Sequence, residues 1–259
     1  MSLIAENHSM YPRVGESDEE LRLRRAHHRF DHGEIDKAEL KSIVDSYVED
    51  VIKEQLDAGL DVVTDGMIRW YDHISHLAEG IAGAEVAGLV RYFDTNYLVR
   101  EANVTGHLEW ESPLTVDSAE FAQSVTDVPT KAILTGPYTM AQYSIIEDGP
   151  YSSRKDLAED YASVLSQEIK ALEEAGINHL QLEDPSILQA EEDTEWALEL
   201  MDECLESVRN ITTRLATYFG DAAPLYDQLQ NSQADILVFD FTYSDDLEDI
   251  IKSDGSDKR

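Results

Sequence analysis

The sequence predicts an α/β protein on a parallel, barrel-type sheet, (β/α)8 in plan, with seven strands legible and the eighth lacking. Three observations carry this. Amphipathic helical segments alternate with short β-branched runs, the pattern of βαβ units. Several of those runs end in a carboxylate or a Gly turn, as strands do where they build the active face of an α/β barrel. No Gly-x-Gly-x-x-Gly opens a helix, so a dinucleotide-binding sheet loses support.

The elements follow in order. A first strand is expected near Leu3–Ala5. Residues 36–58 place Leu40, Ile43, Val44, Tyr47, Val51, Ile52 and Leu56 at helical spacing, and Gly59 closes the helix. Residues 60–64 read as a strand ending in Asp65-Gly66. The section 83–128 is less regular, with Val86–Val99 and Asn103–Trp110 expected as a hairpin or extended excursion. Thr130–Leu134 is a strand running into Thr135-Gly136-Pro137. A second long helix is lined by Leu157, Tyr161, Val164, Leu165, Ile169 and Leu172 and closed by Gly176. Residues 177–182 form the next strand, ending in Glu183-Asp184-Pro185. A helix over 194–210 leads to the strand Arg214–Phe219, a short helix over 222–230 leads to Asp235–Phe241, and a helix over 245–252 follows. The chain stops where an eighth strand is expected, so the barrel is read as one domain over 1–259, truncated at its C-terminal end.

Composition limits the function classes. The 259 residues carry 54 acidic and 20 basic side chains, a formal net charge of −34, spread along the whole chain. Nucleic acid and anionic membranes call for basic patches, so neither is an expected partner. Uniform acidity fits a surface adapted to molar salt, where charge repulsion is screened within a few ångström. The single Cys204 excludes a disulfide framework and sits among apolar helix neighbours, a core position. No run approaches a membrane span, and the expected compartment is the cytoplasm.

Several segments in a fixed order then resemble the cobalamin-independent methionine synthase family, whose members are TIM-type barrels. These are Ser9-Met10-Tyr11-Pro12-Arg13, Leu21-Arg22-Leu23-Arg24-Arg25, Gly33-Glu34-Ile35, and the stretch 55–66 ending Val63-Thr64-Asp65-Gly66. Leu134-Thr135-Gly136-Pro137-Tyr138-Thr139, Gln181-Leu182-Glu183-Asp184-Pro185 and Thr217-Tyr218-Phe219-Gly220-Asp221 complete the set. The resemblance implies methyl transfer from a methyl-folate to the thiol of homocysteine, with zinc held by His, two Cys and Glu. Here the His-x-Cys pair falls at Ala216 and Tyr218, the Glu falls at Asp240, and an acidic substrate contact falls at Met67. No metal ligand set is expected and no cofactor is firmly implied. The Thr-Tyr-Phe-Gly segment resembles the family's zinc-free N-terminal barrel, which implies dependence on a zinc-bearing partner barrel.

The candidate catalytic residues are Glu183, Asp184 and Asp240, strand-end carboxylates that resemble the family's amine-binding pair or serve as an acid and base with split pKa values. The candidate substrate-binding residues are Tyr11, Arg13, Asp65, Arg69, Tyr138 and Tyr218, toward a homocysteine- or pterin-class molecule. Arg22, Arg24, Arg25, His27, His28 and Arg29 form a basic cluster, read as ion-paired surface. His73 and His76 are read as surface or loop histidines. The function expected is therefore a methionine-synthase-like methyltransferase barrel in methionine biosynthesis. The alternatives are a non-catalytic binding or scaffold subunit and a diverged barrel enzyme using the strand-end carboxylates.

Overall fold

The computed structural model describes residues 3–12, 17–18, 21–146, 149–256 and 258. The chain forms two compact units, Met1–Trp70 with Asp117–Ala132, and Tyr71–Val116 with Ile133–Arg259.

The first unit is organised by α2 (Lys37–Asp57). The Asp36 side chain accepts the Glu39 N–H at 2.8 Å and starts the helix, and Gly59, at φ +81°, ends it. Val44, Val48, Val51 and Ile52 line its buried face and pack with Leu23 of α1 (Arg22–Asp31), Val63, Ile68 and Ala122 of α4 (Val116–Ser124). Beyond the helix, the buried Gln55 fixes the turn of chain that follows. Its amide donates to the Val51 and Thr64 carbonyls, and its oxygen accepts the Thr64 N–H at 2.9 Å. The two strands expected here shrink to parallel bridges, Glu6 with Val62 and Val63 with Thr130. The Asp61 carboxylate takes the Ala5 N–H at 2.8 Å, and Leu3 lies almost fully exposed with no sheet face to bury it.

The second unit begins with a long antiparallel hairpin, β1 (Ala82–Arg91) and β2 (Leu98–Glu109), to which β4 (Ser144–Ile145) adds in parallel to β2. The expected break between arms at 99–103 is corrected to 92–97, where Tyr92 donates to the Tyr97 carbonyl and Thr95 caps Tyr92. Downstream, the buried Glu168 of α6 (Arg154–Glu174) accepts from Trp110 Nε1, Leu114 N, Thr115 N and Thr115 Oγ1 at 2.8–2.9 Å. One carboxylate thus pins the chain leaving the hairpin to the helix.

The main sheet has the order β3-β5-β6-β7, with β3 (Ala132–Thr135), β5 (His179–Glu183), β6 (Thr212–Thr217) and β7 (Ile236–Phe239). β5, β6 and β7 run parallel, Gln181 opposite Arg214 and Leu215 opposite Leu237. Helices α5 (Pro137–Gln142), α6, α7 (Thr194–Leu205), α8 (Tyr226–Gln230) and α9 (Leu247–Asp254) alternate with these strands. α6 opens on Ser153, whose hydroxyl accepts the Asp156 N–H, and Cys204 of α7 is buried against it, as expected. Several boundaries move. α7 stops at Leu205 because the Glu173 carboxylate captures the Arg209 and Asn210 N–H groups. β6 starts two residues early, where Asp235 accepts from Thr213 N and Oγ1, and ends before Phe219, whose φ of +59° breaks the ladder. β7 ends at Phe239 because Asp240 turns the chain, accepting from Thr242 N and Oγ1.

Candidate active site at the strand ends

The second unit's strands place a buried polar group at their C-terminal ends. β5 alternates Leu180 and Leu182 with His179, Gln181 and Glu183, so a polar row occupies one face of a strand whose other face is core. Burial of the polar row is nearly complete, and each member has a partner. The Arg214 guanidinium, buried on β6, lies 3.3 Å from His179 Nδ1. Gln181 Nε2 donates to Glu183 Oε1 at 2.8 Å. Glu183 Oε2 accepts the Tyr218 hydroxyl at 2.9 Å and faces His73 Nε2 at 3.2 Å.

His73 is held from every side. Asp72 leads the chain into α3 (Ser75–Ala78) by accepting the Ile74 and Ser75 N–H groups and the Ser75 hydroxyl. The His73 carbonyl takes the Thr135 hydroxyl at 2.6 Å. The ring lies parallel to Tyr92 with centroids 5.7 Å apart, and its Nδ1 is 3.3 Å from the Tyr97 hydroxyl. Tyr92, Phe93, Tyr97, Tyr143, Tyr218 and Phe219 close an aromatic cluster around it. Phe93 and Phe219 both adopt left-handed backbone, φ +52° and +59°, and their rings meet at 5.8 Å. Such conformations cost of order 1–3 kcal/mol each and persist where the surroundings over-determine them. Burial pushes the Tyr218 and Tyr92 hydroxyls well above their ordinary pKa, and the Glu183 charge beside them adds to the rise. Of the two, the Tyr218 hydroxyl is the one that donates to Glu183.

Asp184 faces another way. Its Oδ1 accepts Thr139 N at 2.7 Å and Thr139 Oγ1 at 2.5 Å, and Oδ2 accepts Tyr138 N at 3.1 Å. It caps α5. Burial raises its pKa to about 7 against the pull of those bonds. Gly136 is required beside it, because a Cβ there would stand 2.3 Å from Asp184 Oδ2.

The expected site residues thus separate. Glu183 and Tyr218 meet in one hydrogen bond. Tyr138 is tied to Asp184 by its backbone, while its ring packs on Trp196, its hydroxyl faces Asp193 at 3.4 Å, and burial first and then Asp193 push its pKa up to about 12. Asp240 is bonded only within its own turn among the contacts above. Tyr11, Asp65 and Arg69 belong to the first unit. The Tyr11 backbone N–H donates to Gly66 O at 2.9 Å, and burial together with Glu54 pushes its hydroxyl up to about 12. Asp65 caps Met67 N at 2.8 Å, its pKa raised by burial. Arg69 pairs with Asp45 at 2.6 Å and lies over the Phe121 ring. Arg13 lies outside the described residues. Of the basic cluster, Arg22, Arg25 and Arg29 line a cleft of about 480 Å³ between α1 and α2, where Arg22 pairs with Asp50, Arg25 with Asp18 and Arg29 with Glu39.

Sequence reasoning missed His73, Tyr92, Tyr97 and Gln181. His73 lies in a turn, as a loop residue, but is buried inside the aromatic cluster and not at the surface, which corrects that part of the expectation. The signal available was Asp72-x-x-Ser75, a capping pattern that buries the intervening residues.

The family resemblance places two zinc ligands at Ala216 and Tyr218. Ala216 offers a buried methyl group, Tyr218 donates to Glu183, and among the described residues no three His, Cys, Asp or Glu side chains are grouped to hold a metal. The residues present do not fit a zinc ion at that place.

Comparison with known proteins agrees with this fold. A family profile described as "Cobalamin-independent synthase, Catalytic domain" matches residues 13–218. The profile is that of the catalytic domain, whereas the Thr-Tyr-Phe-Gly resemblance pointed to the N-terminal half. Methionine synthase of Sulfolobus acidocaldarius is 32% identical over 238 residues, 90% of this chain and 67% of that protein. Methionine synthase of Saccharolobus solfataricus is 32% identical over 254 residues, 96% of this chain and 72% of that protein. The chain therefore spans about two thirds of the length of these relatives. Among solved structures, a B12-independent methionine synthase from a Shewanella species, in complex with selenomethionine, superposes with TM-score 0.68 at 24% identity, covering 78% of this chain and 64% of its own. A putative vitamin-B12-independent methionine synthase from Listeria monocytogenes gives 0.70 at 20% identity, covering 91% and 73%. These two share the α/β fold. With a profile covering most of its length and relatives above 30% identity, the chain belongs to the cobalamin-independent methionine synthase family.

Proposed function

We propose that this chain is a zinc-free barrel of methionine biosynthesis that works with a zinc-bearing partner barrel of the same family. The observation that carries the reading is the Tyr218–Glu183 hydrogen bond. A tyrosine stands where the family resemblance places a zinc thiolate, and its hydroxyl is spent on the strand-end carboxylate. With Ala216 beside it, two ligand positions are without metal-binding chemistry. Thiol activation by a metal then falls to another chain. The substrate class is homocysteine or a pterin-type methyl donor, and Glu183 with Tyr218 are the residues proposed to face it. No helix among the described residues is long and apolar enough to cross a membrane, which accords with a cytoplasmic setting.

The reading is tested by elemental mass spectrometry and a methyl-transfer assay. The expected result is less than a tenth of a zinc per chain and no methionine formed from methyl-tetrahydrofolate and homocysteine by this chain alone. Addition of the zinc-bearing barrel encoded in the same genome is expected to restore turnover. Stoichiometric zinc, or turnover by the isolated chain, overturns it.

A further inference from the structure

Tyr92 closes the first arm of the hairpin and takes no part in the bonds that hold Glu183. Its place is fixed by both backbone and ring. The Tyr92 N–H donates to the Tyr97 carbonyl at 2.9 Å, and its own carbonyl accepts the Thr95 hydroxyl at 2.6 Å. The ring lies parallel to His73, tilts against Tyr143 with centroids 5.0 Å apart, and meets Phe93, Tyr97 and Phe219 edge-on. Only 1% of the residue is exposed. Neighbours on several sides therefore set where its hydroxyl stands.

That hydroxyl makes no hydrogen bond. The polar groups around it are engaged elsewhere. Tyr143 Oη accepts the Phe93 N–H at 2.8 Å, the Tyr97 hydroxyl meets His73, and Tyr218 donates to Glu183. Tyr218 lies close enough to act on Tyr92, but the two phenols are not hydrogen-bonded. A buried hydroxyl without a partner costs free energy, and phenylalanine would fill the same space without that cost. The groups that act on it by charge, Glu183, Tyr143 and Asp184, are all acids. A ligand carboxylate or phosphate at this place would meet repulsion. A quaternary ammonium would have no N–H to give. A protonated amine satisfies both conditions, since it carries positive charge and N–H donors. Phe93 and Phe219, half-buried, form the side of the cluster open to a ligand.

We propose that Tyr92 is a specificity-determining residue, whose hydroxyl accepts an N–H of a protonated amine on the substrate beside Glu183. Of the two substrate classes named above, this selects the amino acid, homocysteine, over the pterin. The hairpin thus contributes a substrate contact that the strand ends do not supply, and the hydroxyl is satisfied only when the ligand is bound. The inference rests on the function proposed above for the substrate class.

Titration calorimetry on the full chain tests it with two probes, L-homocysteine and 4-mercaptobutanoate, which is the same molecule without the amine. The native chain is expected to bind homocysteine at least ten-fold more tightly than 4-mercaptobutanoate. Tyr92→Phe is expected to weaken homocysteine about ten- to hundred-fold, the worth of one hydrogen bond to a charged group. It should leave 4-mercaptobutanoate unchanged, and the Tm of the unliganded variant should be no lower than that of the native chain. A structural role for the hydroxyl would lower that Tm and would not alter the preference for the amine. Equal binding of homocysteine by the two proteins overturns the proposal, as does a lower Tm for the variant. Failure of the native chain to bind homocysteine at millimolar concentration also overturns it. The measurement reads binding and not turnover. Zinc in the chain, or methyl transfer by the chain alone, defeats the partner-dependent reading and leaves a shifted amine preference standing, whereas an unshifted preference discards Tyr92 and leaves that reading in place.

Discussion

Removing the Tyr218 hydroxyl tests whether Glu183 depends on donors supplied by the chain. Glu183 is fully buried, and its Oε2 receives the Tyr218 hydroxyl at 2.9 Å. A hydrogen bond to a charged group contributes about 1.5–3 kcal/mol. Tyr218→Phe keeps the ring and its contact with Phe219, so the loss is that of the donor. The expected cost is about 2 kcal/mol, a fall in Tm of roughly 4–8 °C for a chain of this size. The partner change, Glu183→Gln, keeps shape and an acceptor oxygen while removing the charge. A double-mutant cycle of the two, measured by urea unfolding, is expected to show a coupling of about 1 kcal/mol or more. Tyr97→Phe is the control. It removes a longer contact, 3.3 Å to the His73 ring, and a cost below about 1 kcal/mol is expected. If Tyr218→Phe costs less than about 0.5 kcal/mol and the cycle closes at zero, the bond does not hold Glu183 and the chemistry assigned to Tyr218 is wrong.

Three further perturbations read other parts of the second unit. Gly136→Ala drives a methyl group into the Asp184 carboxylate, and a loss of about 1–3 kcal/mol in chemical denaturation is expected. Glu168→Gln sets an NH₂ group against some of the four donors that the carboxylate accepts, and should cost about 2–3 kcal/mol, with residues 110–115 exchanging faster. Asp184 has a folded pKa of about 7, above the ordinary carboxylate value of 3.8. The folded state therefore keeps the proton longer than the unfolded state. Its contribution to stability is complete below about pH 4 and is lost as pH rises through 7, by a few kcal/mol in all. Denaturation curves between pH 4 and 8 are expected to fall more steeply for the native chain than for Asp184→Asn, and parallel curves would refute the raised pKa.

Much of the fold was legible because periodicity and punctuation agree. The spacing of Val44, Val51 and Ile52, closed by Gly59, specifies α2, and Leu157 to Leu172, closed by Gly176, specifies α6. The strands β3, β5, β6 and β7 were legible as short apolar or β-branched runs. The first two expected strands failed because Asp61 intercepts the Ala5 N–H, a long-range side-chain contact that hydropathy does not encode. The hairpin's turn was misplaced because Tyr92–Tyr97 closes through bonds among residues that carry no Gly or Pro. Of the buried polar group, Glu183 and Tyr218 had been named from motif position. His73 was passed over because a histidine between Asp72 and Ile74 reads as loop until the Asp72 cap turns it inward.

The same contrast explains why the site reads as it does. A carboxylate at a buried strand end is costly unless donors surround it. Glu183 belongs to the Glu-Asp-Pro segment that the family resemblance preserves, while Ala216, Tyr218 and Met67 stand where that resemblance expects other residues. Once a metal ligand position holds tyrosine, its hydroxyl is placed to donate to Glu183, and His73 and Gln181 approach the remaining lone pairs. The carboxylate is thereby satisfied from within the chain. On the proposed reading, the tyrosine that stands at a ligand position of the family resemblance is also the one whose hydroxyl holds the neighbouring Glu183 carboxylate in its buried place.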